Sequence, residues 1–256
     1  MSTIVSRLRA RSAKASVNGT GDHHRKVANT ILLSLTAEQR ERVLSKMSFV
    51  QLPTHTILNE ISARIDYGYF VNSGLASVLN VMSDGKSVEV GLAGTEGFIG
   101  APLLVGLKTS PTRVVMQVAG SAFRIKPKDL MAILHDYPKL EIALLRYTQT
   151  LAMQATQVAA CNRLHEVDER LARWLLMSQD RLSGRIVPLT QEFLAHMLGT
   201  RRASVTVAAG ILQKAGLITY TRGSVTIEDR ELLEDAACEC YGTLTRQAKH
   251  WQNESK

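Results

Sequence analysis

The feature that most constrains the fold is the stretch LTQEFLAHMLGTRRASVTVAAGILQKAGLI at positions 189–218. Its apolar residues recur at helical spacing on both sides of Gly199, and glycine suits a tight turn because it adopts positive φ at little cost. Leu194 and Leu198 fall on one face of the first helix, with the small side chain of Ala195 where the two helices would touch. The stretch predicts two short helices that cross at a glycine turn, as in a helix-turn-helix.

The second of these helices has one apolar face. Val205, Ala208 and Leu212 share that face, which we expect to point into the core. The other positions near its N-terminal end are expected to face outward, and this end meets base edges when such a helix enters the major groove. These outward positions are Arg201, Arg202, Ala203, Thr206 and Val207. A packed helical pair that never meets DNA is the alternative interpretation.

The polar side chains of this helix suit contact with DNA. Arg201 or Arg202 can form two hydrogen bonds to a guanine or can neutralise a phosphate, and the sequence leaves both options open. The hydroxyl groups of Ser204 and Thr206 can donate hydrogen bonds to phosphate oxygens. We therefore predict a DNA-contacting surface at the start of the second helix.

The flanking residues extend this predicted surface. Thr190 is placed to cap the first helix and can also donate to a phosphate. Downstream, LITYT and SVTIE flank Arg222 and Gly223, a pattern that predicts a tight β-hairpin. A hairpin after a helix-turn-helix forms a wing, and Arg222 at its tip is expected to lie along the DNA backbone.

The charge of the whole chain agrees with a nucleic-acid partner. The formal net charge is +8 and the pI is about 9.6, which favours a polyanion. No apolar run approaches the roughly 20 residues that span a bilayer, and the first residues lack a hydrophobic signal core. We therefore expect a cytoplasmic protein with no membrane association. Residues 1–28 are polar and basic and predict a flexible tail, in which His23 and His24 are solvated rather than metal ligands.

Residues 29–136 predict a separate domain that consists mainly of β-strands. A helix is expected over about 29–46, with Thr36 as an internal cap, and short β-branched segments follow. The segments VLNVMS and KSVEVGL flank Asp84-Gly85, which is a strong hairpin signal. The spacing of the segments predicts an antiparallel β-roll of cupin or jelly-roll type. The predicted strands are FVQL, HTIL, YGYFV, LASVLNVM, SVEVGLA, RVVMQV and AFRI, with turns at Ser73-Gly74, Asp84-Gly85 and Gly120-Ser121.

Residues 137–165 predict a long dimerisation helix. Residues at alternating steps of four and three, the heptad spacing, are mostly apolar and form a continuous seam along one face of this helix. A seam this long is typical of a helix–helix interface, and a second copy of the chain is the simplest partner. The alternative is that the seam packs on the chain's own β-domain. The predicted interface residues are Leu140, Leu144, Tyr147, Leu151, Gln154, Val158 and Cys161, with His165 as a further interface residue rather than a ligand.

Residues 166–242 then predict a winged helix-turn-helix domain, and residues 243–256 a C-terminal tail. The domain starts with a helix over about 166–181, which Gly184 follows. The fold class is therefore α+β, with an N-terminal β-roll, a long dimerisation helix and a C-terminal winged helix-turn-helix.

Catalysis and metal binding have no sequence signal here. Cys161, Cys238 and Cys240 do not form a disulfide framework, and they lack the CxxC pairs that are typical of a zinc site. Three free thiols in a reducing cytosol are expected, with a redox role for Cys238 and Cys240 as the weaker alternative. We find no catalytic constellation, so we expect no enzyme activity, no required cofactor and no metal.

The order of these domains resembles the Crp/Fnr superfamily of bacterial transcription regulators, over residues 29–242. The resemblance is carried by VNSGLASVLNVMSDGKSVEVGLAGTEGFIG, by NRLHEVDERLARWLLMSQDR, and most specifically by LTQEFLAHMLGTRRASVTVAAGILQKAGLITYTRGSVTIEDRELLEDAACECYG. It implies a cytoplasmic homodimer that binds a palindromic operator in double-stranded DNA, with RNA polymerase as a further candidate partner.

The resemblance also implies an effector pocket in the roll. In this family a glycine-rich cassette with a glutamate and an arginine often holds a cyclic nucleotide, and EGFIGAPLLVG looks like that cassette. Ala101 stands where the carboxylate is expected, and a buried ribose hydroxyl without its acceptor costs about 1–3 kcal/mol. We therefore expect that cyclic AMP is not the effector and that any effector is another small molecule. The pocket candidates are Gly97, Phe98, Ile99, Gly100 and Arg113.

The second helix departs from the family's best-known member. Arg202 matches that member's first arginine, but Ala203 and Val207 stand at the positions of its glutamate and second arginine. Their side chains can at most touch a thymine methyl group. A different operator is expected. The competing hypothesis from another class is an effector-binding module whose main output is a protein partner.

Overall fold

A computed structural model describes residues 26–182, 184–188, 190–221 and 223–254. The chain divides into two compact units, one formed by residues up to 85 with 93–148 and the other by residues 86–92 with those from 149 onward. Most of the predicted basic tail, with His23 and His24, lies outside the described residues, as does Arg222. Among the described residues, no helix combines the length and the apolar character of a membrane span.

The first unit begins with two short helices, α1 (Thr30–Leu33) and α2 (Ala37–Leu44). The single helix predicted over 29–46 is therefore wrong, because Thr36 is an N-cap between two helices. Its backbone is extended, which stops α1 from continuing, and its hydroxyl accepts from the N–H of Gln39 while the Gln39 side chain accepts from the N–H of Thr36. Asn29 caps α1 and donates to the carbonyls of Val71 and Gly97, which ties α1 to the roll.

An antiparallel sheet forms the body of this unit, as predicted. Strand β6 (Arg113–Ile125) lies between β1 (Ser48–Leu52) and β3 (Gly68–Val81). The short strands β2 (Ile57–Asn59) and β5 (Phe98–Ile99) pair with β6 and β3 respectively. Strand β4 (Ser87–Ala93) follows the Asp84-Gly85 turn, where the N–H of Gly85 donates to the carbonyl of Met82 over 2.9 Å.

Two predicted turns in this sheet are wrong. The segments around Ser73-Gly74 form the continuous strand β3, and those around Gly120-Ser121 form β6. The register shifts on both sides of Ser73, and Gly74 has φ +83°, so the glycine serves a bulge rather than a chain reversal. A Cβ on Gly120 would lie 1.9 Å from the carbonyl oxygen of Ser73, which shows how closely the two backbones approach.

Two helices follow β6. The first, α3 (Pro127–Asp136), was not predicted, although Pro127 at its start and the spacing of Leu130, Ile133 and Leu134 are helix signals. The second, α4 (Pro138–Leu164), matches the long helix predicted over 137–165 within a residue at each end. It begins in the first unit and ends in the second.

The second unit is built around α5 (Val167–Gln179), which is buried from Arg170 to Ser178. Helix α7 (Arg202–Lys214) packs on it, α6 (Gln191–Met197) packs on α7, and the unit also contains a three-stranded sheet in the order β7-β9-β8. Strands β8 (Ile218–Thr221) and β9 (Ser224–Ile227) are the predicted wing, whereas β7 (Ile186–Pro188) was not predicted.

The chain ends in α8 (Arg230–Asp235) and α9 (Cys240–Asn253). The predicted tail over 243–256 is therefore helical for most of its length. Tyr241 and Leu244 of α9 are buried, so this helix is packed rather than free.

Candidate nucleic-acid interface

The turn between α6 and α7 has the predicted geometry. The Thr190 hydroxyl accepts from the N–H of Phe193 over 3.2 Å and caps α6. Gly199 has φ +59°, a conformation that most side chains disfavour, and it follows the last turn of α6. Leu194, Ala195 and Leu198 are buried, so the first helix presents the predicted face to the core.

A buried arginine of α5 stabilises this turn by hydrogen bonding to the end of α6. The guanidinium of Arg170 on α5 donates to the carbonyl of Leu198, the C-cap residue of α6, and to the side-chain oxygen of Asn162 over 2.8 Å. The carbonyls at a helix end have no partner within the helix, so this contact satisfies one of them. Burial lowers the pKa of Arg170 from its usual value. Sequence reasoning missed this residue, because an arginine within an apolar helix face gives no sign of what it binds.

Helix α7 separates its two faces as predicted. Val205, Ala208 and Leu212 are buried against the rest of the unit. Arg201 is the N-cap residue, with extended backbone, and Arg202 begins the helix. The buried face therefore fixes the position of α7, and the opposite face at its start is exposed to solvent.

The outward face combines charge with small apolar groups. Val207 is 65% exposed, and Ile211 one turn later is half exposed, so apolar carbon is presented to solvent beside the arginines. The Thr206 hydroxyl donates to the carbonyl of Arg202 over 3.1 Å. Within the described part of the chain, neither Arg201 nor Arg202 forms an ion pair. The predicted residues that lie exposed on this face are Arg201, Arg202, Ala203, Thr206 and Val207, and Ser204 is half-buried.

The wing follows α7 directly. Strands β8 and β9 pair from Ile218 with Ile227 to Thr221 with Ser224, which leaves two residues for the loop. The N–H of Tyr220 donates to the side-chain oxygen of Gln213 over 2.7 Å, so the wing is fastened to the end of α7. Helix and wing therefore form one surface.

An ionic network fastens the helices behind this surface. Arg230 at the start of α8 lies 2.7 Å from Asp180, the C-cap residue of α5, and 2.9 Å from Glu234. The hydroxyl of Tyr241 donates to the other oxygen of Asp180 over 3.0 Å. Burial and the negative charge of Asp180 raise the pKa of Tyr241 to about 12. The network links α5, α8 and α9.

Four of the five pocket candidates in the roll lie on or beside β5. Phe98 and Ile99 form β5 and are buried, and the Phe98 ring lies 4.8 Å from that of Phe70. Gly97 and Gly100 flank this strand. Arg113 is held by the chain itself, because its Nε donates to both carboxylate oxygens of Glu60 over 3.0 and 3.1 Å and its terminal nitrogen lies 3.0 Å from one of them.

The predicted dimer seam of α4 is largely buried within its own chain. The side-chain oxygen of Gln154 accepts from the N–H of Leu92 over 3.1 Å, which explains the polar interruption of the seam. The buried members are Leu140, Leu144, Tyr147, Gln154, Val158 and Cys161, whereas Leu151 is half-buried. The opposite face of α4 is exposed, and its members at heptad spacing are Ile142, Leu145, Gln149, Ala152, Thr156 and Ala159.

Two helices that cross at a glycine turn, arginines at the start of the second helix and a β-hairpin behind it define a winged helix-turn-helix, a class of DNA-binding domain. Sequence comparison agrees with this class. The model of the Crp-like helix-turn-helix domain matches residues 169–236. The C-terminal domain is therefore a Crp-like helix-turn-helix domain, and over these residues the predicted resemblance to the Crp/Fnr transcription regulators is confirmed.

Solved structures show the same fold over about three quarters of this chain. The c-di-GMP responsive global regulator CLP of Xanthomonas campestris is 20% identical, with 75% of this chain and 99% of that chain covered and a TM-score of 0.63. FixK2 from Bradyrhizobium japonicum is 16% identical, with coverages of 75% and 98% and a TM-score of 0.65. A Crp/Fnr-family transcriptional regulator from Thermus thermophilus is 17% identical, with coverages of 74% and 97% and a TM-score of 0.58. No curated protein matches the chain by sequence.

Proposed function

We propose that this protein is a homodimeric, sequence-specific transcription regulator that reads its operator with α7 in the major groove. The observation that carries the proposal is the start of α7, where Arg201 and Arg202 are exposed while Val205 holds the helix in the core. Arginines at that end of a recognition helix reach guanine edges or phosphates. The wing and the net charge of +8 support the same surface.

The apolar groups beside the arginines restrict what the helix reads. Ala203 and Val207 are exposed and cannot form side-chain hydrogen bonds, so they favour thymine methyl groups. An operator half-site with a guanine for an arginine and a neighbouring thymine fits this combination. It differs from the operator expected for a helix with a glutamate at the position of Ala203.

Dimerisation is proposed through the exposed face of α4. Its exposed Ile142 and Leu145 and the small residues Ala152 and Ala159, with the polar Gln149 and Thr156 between them, follow the spacing of a two-helix interface. A two-fold dimer reads an inverted repeat, with half-sites about 34–36 Å apart when they are separated by one helical turn. The protein acts in the cytoplasm, where the DNA and its further candidate partner, RNA polymerase, are located.

The roll is proposed not to bind cyclic AMP in the usual way. A nucleotide phosphate would have to displace Glu60 from Arg113, and Ala101 provides no carboxylate for a ribose hydroxyl. The CLP regulator of Xanthomonas is c-di-GMP responsive, so cyclic di-GMP belongs with the cyclic mononucleotides in a panel of test ligands.

Selection from random double-stranded DNA with the full-length protein tests the proposal. We expect an enriched inverted repeat that footprints as two half-sites. Arg202→Ala should weaken binding by about 1–3 kcal/mol with relaxed specificity at one position if it contacts a base, or reduce the salt slope by about 1 if it contacts a phosphate.

Arg42→Ala is the matched control, because Arg42 is an exposed arginine on α2, far along the chain from α7. It should leave the affinity, the specificity and the salt slope unchanged. If no inverted repeat is enriched and Arg202→Ala behaves like Arg42→Ala, the protein does not read DNA through α7. A protein partner would then become the leading candidate for its output.

A further inference from the structure

Four side chains with metal-binding atoms meet in the second unit. Cys161 and His165 lie one turn apart at the end of α4, and Cys238 and Cys240 lie at the start of α9. One ligand atom from each residue lies within 4.8 Å of all the others. The three cysteines are free thiols and are buried. Sequence reasoning missed the cluster because about 75 residues separate its two halves, and neither Cys-x-x-x-His nor Cys-x-Cys is a CxxC pair.

The distances within the cluster, up to 4.8 Å, are close to those around a single tetrahedral ion. The sulfur atoms of Cys161 and Cys238 are 3.5 Å apart, and the Cys240 sulfur is 3.5 Å from Nδ1 of His165. Zinc–sulfur bonds of about 2.3 Å and zinc–nitrogen bonds of about 2.0 Å give tetrahedral edges of about 3.8 Å and about 3.5 Å. The ligand atoms therefore need to move by only about 1 Å or less to bind one ion.

We propose that Cys161, His165, Cys238 and Cys240 form a structural zinc site that joins the end of α4 to the start of α9. Three cysteines and one histidine are a common ligand set for structural zinc. Since all four positions are filled by protein, the site has no open position for a substrate, and its role is to hold the C-terminal helix.

Groups around the cluster support the ligands. Nε2 of His165 lies 2.9 Å from a carboxylate oxygen of Glu239, which leaves Nδ1 directed toward the cysteines. A carboxylate on the outer nitrogen of a histidine is the usual second contact of a zinc ligand. The Gln157 side chain donates to the Cys240 sulfur over 3.0 Å. Such a hydrogen bond stabilises a thiolate.

A buried positive charge in the same unit lacks a counter-charge among the described residues. Arg173 on α5 is 3% exposed, and within the described residues it forms no ion pair and its Nε has no hydrogen-bond partner. A buried unpaired charge is costly. A zinc ion with three thiolates has a net charge of about −1, which is the counter-charge that Arg173 lacks. Arg173 lies close enough to the cluster to interact electrostatically with the sulfur atoms of Cys161 and Cys238.

Two other chemistries fit the cluster less well. A Cys161–Cys238 disulfide would use two sulfurs and leave His165, Cys240 and the charge of Arg173 without a role. In a four-iron cluster each ligand binds its own iron, which spreads the ligand atoms further apart than around one ion. The compact geometry thus favours one zinc ion.

Metal analysis of the full-length protein, purified without chelator and without an affinity tag that binds metal, tests the proposal. We expect about one zinc ion per chain by mass spectrometry, released when the thiols are blocked with a mercurial reagent. Cobalt(II) alone, added to the chelator-stripped protein, should give the strong visible absorption of tetrahedral cobalt with a thiolate charge-transfer band. Three titratable thiols with no bound zinc, or a disulfide in the protein as isolated, would overturn the proposal.

Variants locate the site. Cys240→Ser and His165→Ala should each lower the zinc content, whereas His135→Ala, which removes an exposed histidine of α3, should not. Glu239→Gln keeps all four ligands and should fold. Because Glu239 is 74% exposed, we expect it to weaken zinc affinity only about tenfold, the lower end of the range for such partners. Normal zinc content in both ligand variants would place the metal elsewhere and refute the site, and DNA binding by α7 can be correct or wrong independently of it.

Discussion

The indole nitrogen of Trp174 donates a hydrogen bond to a carboxylate oxygen of Glu89 over 2.8 Å, and both side chains are buried. Trp174 lies in the middle of α5, and Glu89 lies on β4 in the part of that strand that belongs to the second unit. The bond gives a buried carboxylate a donor deep in the unit that carries α7. Because burial makes an unsatisfied polar atom expensive, this contact is a sensitive point for stability.

Removal of the indole donor should destabilise the second unit. In Trp174→Phe the buried Glu89 carboxylate loses the indole donor and the core loses volume, so we expect a loss of about 2–5 kcal/mol in the free energy of unfolding. Urea unfolding followed by circular dichroism measures it. Trp251→Phe is the matched control, because Trp251 lies near the end of α9 and is only half-buried. Equal stability of the two variants would show that the buried bond contributes nothing.

Tyr241 should make the stability fall at alkaline pH. The pKa of Tyr241 is raised to about 12 in the folded protein, from about 10 when unfolded. A group with a raised pKa contributes its stability below the unfolded value and loses it as the pH rises through the folded value. Two units correspond to about 3 kcal/mol, lost between about pH 10 and 12.

The variant Tyr241→Phe isolates this contribution. It should remove that portion of the alkaline loss, while Tyr137→Phe, which changes a half-buried tyrosine at the end of α3, should keep it. The measurement is unfolding free energy against pH for the three proteins. Parallel curves for wild type and Tyr241→Phe would contradict the assignment.

Two glycine substitutions should change the free energy of unfolding in opposite directions. In Gly120→Ala the new Cβ would lie 1.9 Å from the Ser73 carbonyl, so the strands must separate, and we expect a loss of at least about 3 kcal/mol. In Gly210→Ala the new Cβ meets nothing within 4 Å and the site is inside α7, so we expect a gain of about 0.5–1 kcal/mol. Thermal unfolding of both variants measures these changes. A shift of the melting temperature in the same direction for both variants would contradict the prediction.

A charge on the exposed face of α4 should dissociate the dimer. Leu145 is 44% exposed, and Leu145→Glu would place a carboxylate in the proposed two-helix interface. Sedimentation should give a monomer for this variant and a dimer for Met131→Glu, a matched change at a residue of α3 that is 47% exposed. A dimer in both cases would place the interface on another surface.

Calorimetry should show no tight binding of cyclic AMP. The Arg113 guanidinium is engaged by Glu60, and Ala101 offers no acceptor for the ribose. Titrations with cyclic AMP, cyclic GMP and cyclic di-GMP compare the candidate effectors on one preparation. Micromolar or tighter binding of cyclic AMP would show that the roll uses other contacts.

The two faces of α7 could be predicted from the sequence because the spacing of apolar residues in a short amphipathic helix indicates which face is buried. Val205 and Ala208 are buried and Arg202 is exposed, as the spacing indicated. The seam of α4 shows the limit of that reasoning. Periodicity indicates that Leu144 is buried but not by which partner, and in the structure its own chain already buries it.

Other features depend on contacts that no local pattern contains. Ser73-Gly74 has the composition of a turn, and only the approach of β6 makes it a bulge. From the sequence, Arg113 is a candidate phosphate ligand. In the structure its guanidinium instead binds the carboxylate of Glu60, which lies 53 positions away in the chain. The meeting of His165 with Cys240 depends in the same way on the packing of distant helices.

The facing bulges of β3 and β6 also restrict how this sequence can change over evolutionary time. Gly74 lies against the carbonyls of Val118 and Ala119, and Gly120 lies against that of Ser73, so each strand occupies the space of the other's missing side chain. A single replacement at either position meets backbone, which cannot rotate away as a side chain can. Neither glycine can therefore be replaced, alone or together with the other. A library that randomises both codons should return glycine at both positions among its folded members.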